Sequence, residues 1–289
     1  MFETLINPRH ASRRPWQMFF VGLLYAALSI VIADFVFLKN PIFEKHISIV
    51  IVFFTVMFSL PFFFYMIKQE ETKDTKISGE KRLIKEHGKA LSALLFLFLG
   101  YVVAFAVLYM AMPQSTTASN FNIQIETYCS INSPYDVEGC SAANMGVGGA
   151  LTGTIALQGK MNRLSAILSN NFYVLLLSLV FSFIFGAGAI FVLAWNASVI
   201  AAAIGIFAKH PSALHQGLFR YMIHGIPEIA AYFVAALAGG IIGIAVIKHE
   251  FGHERFWHIL QDSLDLIILS LVILFVAGLI EVFITPMLF

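Results

Sequence analysis

The chain has 289 residues, 59% hydrophobic and 12% charged, with a net charge of +1. Soluble domains average about 45–50% apolar and about 25% charged residues. An apolar surplus of this size exceeds what one core buries, so the composition excludes a soluble globular protein, and the near-neutral balance gives nucleic acid no footing as a partner. The expected class is all-α, a polytopic transmembrane helix bundle in contact with membrane lipids, because helices satisfy every backbone group within the segment.

A helix needs about 20 mostly apolar residues to cross the hydrocarbon. Before the first such stretch stand Arg9, Arg13 and Arg14 with no acid beside them, which places the N-terminus on the cytoplasmic side. The first span, 17–38, is longer than a signal-peptide core and ends at no small-residue cleavage site, so it is expected to be retained. Asp34 falls near its outer end, within reach of water. A second span covers 47–67. The run KQEETKDTKISGEKRLIKEHGK at 68–89 then holds seven basic residues and is expected inside, in agreement with the N-terminal arginines. Residues 1–90 therefore read as a two-helix membrane hairpin with a charged cytoplasmic loop, and 91–289 as the membrane core.

The third span, 91–112, leads to a long polar excursion at 113–169, expected on the extracytoplasmic side. It holds Cys129 and Cys140. Disulfides persist in oxidising compartments, and a pair this close in sequence closes a small loop, so a disulfide is expected; two free thiols are the alternative. Gly146, Gly148, Gly149 and Gly153 follow, but no Gly-Lys-Ser/Thr ends the run, which excludes a phosphate loop. A fourth span at 172–195 ends at Asn196. The next apolar piece, 197–208, is only about 18 Å long as a helix, and is expected to be a half-helix or re-entrant segment.

The fifth span, 226–247, begins at an unusual place. His224 and Gly225 precede Pro227, which suits the first turn of a helix, and Glu228 then sits where the helix dipole favours an anion. The expectation is a helix break at Gly225 and Pro227 inside the membrane. Ionisable groups at that depth are costly and mark functional sites by default. Asn196, His224, Glu228 and, in the last span at 264–287, Glu281 are thus candidates to line a polar cavity. The bland alternative is that Glu228 caps its own helix and pairs with His224.

Between the last two spans the chain reads HEFGH at 249–253. On a helix, His249 and His253 fall on one face and can bind zinc while Glu250 activates a bound water. A catalytic centre also needs a third ligand, from among His258, Asp262 and Glu281. Glu281, however, lies about 25 Å along the last span, near the opposite face of the bilayer. The neighbouring Lys248, Glu254, Arg255, Phe256 and Trp257 give the motif a second identity as a mixed-charge turn at the membrane boundary, with no metal. Zinc is expected only under the protease reading, and no cofactor otherwise.

Several features recur in a known order: Asn170-Asn171, the glycines Gly186 and Gly188, Asn196, the His-Gly-x-x-Glu box at His224, Gly225 and Glu228, and Glu-x-x-x-Thr-Pro from Glu281 to Pro286. From about Leu91 to the C-terminus, this pattern resembles the stage II sporulation protein M family of polytopic membrane proteins. The resemblance implies a membrane anchor and scaffold, as members are thought to provide for cell-wall hydrolases in sporulating bacteria. It supplies no reaction. The expected function is a scaffold or permease-like component with an intramembrane polar cavity, not an enzyme, with membrane or cell-envelope proteins or further copies of itself as partners. The alternatives are a membrane-embedded zinc metalloprotease using HEFGH, and a solute or lipid transporter with broken helices near the midplane.

Overall fold

The computed structural model describes residues 14–37, 40, 43–74, 83–132, 136–145, 157–185, 189–208, 211–247 and 254–288. Among these there is no strand, and the chain is a bundle of helices. In chain order they are α1 (Gln17–Phe37), α2 (Ile47–Asp74), α3 (Leu83–Ala111), the short α4 (Gln114–Asn120), α5 (Asn122–Asn132) and α6 (Val137–Asn144), then α7 (Leu157–Phe185), α8 (Ala189–Ala208), α9 (Leu214–Ile247) and α10 (Glu254–Leu279). A π-helical turn, Ile280–Ile284, carries α10 without interruption into α11 (Thr285–Leu288). Six helices among the described residues are long and apolar enough to cross a bilayer, and α2 adds a shorter apolar stretch, Ile47–Phe63. Their outer surfaces are apolar too, with Phe35 88% and Tyr173 69% exposed, as expected of a protein whose solvent is lipid. It is a multi-pass integral membrane protein.

Without a hydrophobic drive between helices in lipid, association depends on close packing, which small residues permit. The α1/α3 and α7/α9 pairs show this. A Cβ on Gly22 would run into the Leu97 carbonyl, and one on Gly100 into that of Phe19. On α9, Gly239 abuts the Leu179 carbonyl and Gly243 that of Phe183. The constant offset means that α7 and α9 run parallel, in a GxxxG-type contact. α8 fills the middle of the bundle, with Ala194, Ala197, Ala201, Ala202 and Ile204 fully buried, and touches α3, α2 and α9. One continuous core contains Met18, Ile51, Phe98, Ile204 and Tyr232, so the 1–90 hairpin shares its packing with the rest of the chain.

Helices α4 to α6 cap one end of the bundle. Asn120 Nδ2 donates to Asp34 Oδ1 of α1 (2.8 Å), Ser48 Oγ of α2 to Asn122 Oδ1 (2.7 Å), and Gln124 Nε2 to Ser198 Oγ of α8 (3.2 Å). Asp34 is thus a fastening point for the cap. Cys129 and Cys140 form a disulfide, with Cα atoms 5.8 Å apart, joining α5 to α6.

Four expectations need correction. The run 172–195 is not one helix: α7 ends at Phe185 and α8 begins at Ala189. The segment 197–208 is the second half of α8, a full-length crossing helix, and the short apolar piece is in α2 instead. An apolar run continues across the junction, so hydropathy alone does not mark it. The polar excursion likewise ends before 169, because Leu157 onward is already α7. Finally, α9 runs continuously through Gly225 and Pro227. Proline removes one hydrogen bond, that of the Ile223 carbonyl, but the packed neighbours of α9 hold it helical on both sides.

Candidate functional site

Near the middle of the Leu214–Gly243 span, α9 presents His224, Glu228 and Tyr232 at successive four-residue steps. That spacing puts them on one face. Tyr232 Oη donates to Glu228 Oε1 at 2.8 Å. Across from them stands the π-helical turn, whose Glu281 is close enough to interact electrostatically with Glu228 and Tyr232. Thr285 Oγ1 lies 3.3 Å from His224 Nδ1 and donates to the Ile280 carbonyl at 3.1 Å. With its proton committed to that carbonyl, the hydroxyl accepts from His224, which fixes Nδ1 as the protonated ring nitrogen.

The third side comes from α7. Its register against α9 sets Arg163 opposite the His224 turn, and Arg163 interacts electrostatically with both His224 and Glu281. One turn before His224, Arg220 stacks over the Phe207 ring at 4.7 Å, and Tyr221 hydrogen-bonds Tyr128 of the cap. His224 is buried, while Glu228 and Glu281 are half-buried.

The π-helical turn has a local cause. Pro286 follows Thr285, and a proline ring clashes with the carbonyl four residues back while offering no N–H. Widening the helix relieves the clash, and the Thr285 N–H bonds five residues back to Ile280. Such turns recur at functional sites, and here the widening places Glu281 and Thr285 together against α9.

Of the expected cavity residues, the structure brings His224, Glu228 and Glu281 together. Asn196 instead donates to the Val192 carbonyl of its own helix, 2.8 Å away. Val192 does border a cavity of about 10 Å³ between α7, α8 and α9, shared with Ser178 and Tyr232, room for about one water. Arg163, Tyr232 and Thr285 escaped the sequence reading as members of one site. Tyr232 could have been found from its four-residue spacing to Glu228, and Thr285 from the Thr-Pro that widens the helix. Arg163 was hidden by assigning its stretch to a loop.

The HEFGH residues His249, Glu250 and His253 lie outside the described residues. Among the described residues no group of three His, Cys, Asp or Glu is arranged to hold a metal ion. Glu281 meets α9 at His224 and Glu228, whereas the motif follows Ile247 at the far end of the same helix. About 20 residues of helix, or about 30 Å, separate Glu228 from Ile247, the last described residue before the motif.

The family model of stage II sporulation protein M matches residues 36–286. The chain belongs to the stage II sporulation protein M family. The match extends upstream of Leu91, where the resemblance begins, to take in α2, and it includes the cap and its cysteines. An uncharacterized protein of Methanocaldococcus jannaschii is 30% identical over 124 residues, covering 42% of this chain and 70% of that protein. No solved structure matches the chain. The two stretches that carried the resemblance, His-Gly-x-x-Glu and Glu-x-x-x-Thr-Pro, both contribute to the junction just described: the first supplies His224 and Glu228, the second Glu281 and Thr285.

Proposed function

We propose that this member of the stage II sporulation protein M family is a permease-like membrane component that works through the polar junction of α7, α9 and the π-helical turn. What supports this is the meeting of Glu228, Tyr232, His224 and Glu281 near mid-span, where polar groups are costly and line substrate or ion paths far more often than they stabilise a fold. A scaffold needs no such group at that depth. The two stretches that carried the resemblance converge there from two separate helices, and the membrane-crossing pairs around them are packed through glycines and alanines.

The scaffold alternative draws on the cap, a rigid disulfide-joined platform suited to a protein partner. For the zinc protease alternative, the junction offers no help, because Glu281 faces Glu228, about 20 residues of helix from Ile247, the last described residue before HEFGH. The two remaining readings separate in one experiment. Purified protein is screened for thermal stabilisation by a panel of inorganic ions and small polar solutes, since a ligand that binds only the folded state raises its melting temperature. The expected result is a shift with at least one of them that disappears in Glu228→Gln. A flat panel, with a stoichiometric protein partner on purification, would replace the permease with the scaffold.

A further inference from the structure

Two carboxylates that face one another in a low-dielectric interior cannot both remain ionised unless cations offset them. Charged and titratable groups reach this pair from α7, α9 and the C-terminal helix. From α7 comes Arg163, which acts on Glu281 and His224. From α9 come His224, Tyr232 and, one turn earlier, Arg220, which stacks on Phe207 and acts on Tyr221 and His224. From the C-terminal helix come Glu281 and Thr285. The guanidinium of Arg163 thus acts on Glu281, while Glu228 faces Glu281 and the Tyr232 hydroxyl.

We infer that Glu228 carries a proton on Oε2, held opposite the Glu281 carboxylate, which makes the junction a proton-binding site within the membrane. The hydrogen bonds agree with that state. Tyr232 has one hydroxyl proton and gives it to Glu228 Oε1, which as the carbonyl oxygen of a protonated carboxyl still accepts it. Oε2 is then the oxygen that holds the proton, and the His224–Thr285 contact one turn away on each antiparallel helix sets Glu281 on the facing turn. Loss of the proton to water, as hydronium, leaves two adjacent anions against one guanidinium and pushes the π-helical turn away from α9. Return of the proton draws them together. This use as a coupling ion rests on the permease-like function, but the proton itself does not.

Infrared spectroscopy of the full-length purified protein at neutral pH tests it. The expected result is a protonated-carboxyl C=O band, sensitive to deuterium, that is lost in Glu228→Gln and shifted in Glu281→Gln. Tyr232→Phe removes the donor to Oε1, so the band should move without vanishing; this variant keeps the test alive if Glu228→Gln fails to fold. Absence of the band in wild type would overturn the inference. So would a band that survives all three substitutions unchanged, or one lost only in Glu281→Gln. A band that behaves as expected in a protein moving nothing across a membrane would defeat the permease and leave the bound proton standing.

Discussion

Glu228 and Glu281 were each legible in the sequence as charges stranded in apolar runs, but that they form a pair was not. Their partnership depends on the widened turn before Pro286 and on the register of two helices, neither of which hydropathy reports. The cysteines were more transparent, since their closeness and the polar stretch around them already favour a bond. In the structure Asn144 braces that bond, with Nδ2 3.5 Å from Cys140 Sγ and 2.9 Å from the Cys140 carbonyl. Replacing both Cys129 and Cys140 by Ser is expected to cost about 2–3 kcal/mol, near the lower end for a small loop. The loss should be concentrated in α5 and α6, with the membrane helices little affected. Hydrogen exchange of the variant checks this: faster exchange confined to the cap is expected, and unchanged protection there would show the crosslink to be dispensable.

Among the elements, α7 and α9 carry the site because their backbones approach closely enough to set Arg163 beside His224. Neighbouring glycines on α9 make the point testable. A methyl on Gly239 would collide with the Leu179 carbonyl, whereas Gly240 has nothing within 4 Å of an added Cβ. Gly239→Ala is expected to destabilise by about 1–3 kcal/mol through overpacking. Gly240→Ala should be neutral or stabilise by up to about 1 kcal/mol from helix propensity. Thermal unfolding in detergent compares them, and equal effects would contradict the register. Helix existence was largely legible here, because long apolar runs have few other solutions in lipid. Boundaries were less so: at 172–208 the run is apolar on both sides of the α7/α8 junction, and Asn170-Asn171 resembles a loop while lying within α7. The Gly225–Pro227 break failed for a related reason, since tertiary packing overrides a single proline's preference.

For the molecule as a whole, the helix order fixes relative direction. α1 and α3 run one way and α2 the other, while α7 and α9 run parallel and α10 returns beside α9. If α2 also crosses, the described helices make seven crossings, and α1 is expected to start on the face opposite to the one where α11 ends. With the arginines before α1 expected on the cytoplasmic side, the cap, the disulfide and α11 are expected on the extracytoplasmic side. A membrane-impermeant thiol reagent should label Met287→Cys on intact cells and Trp16→Cys only after permeabilisation. Both side chains are exposed, at 81% and 49%, and labelling of both from the same side would overturn this orientation.

The central claim about the molecule is that it works through the Glu228 junction. Charge displacement on a supported membrane, following steps in pH and in polar solutes, measures that most directly when wild type is set beside Glu228→Gln. The amide is nearly isosteric, so the variant should retain wild-type stability to within about 1 kcal/mol. Wild type is predicted to give a protein-dependent transient current that Glu228→Gln abolishes. An equal current from a properly inserted Glu228→Gln protein would contradict the account.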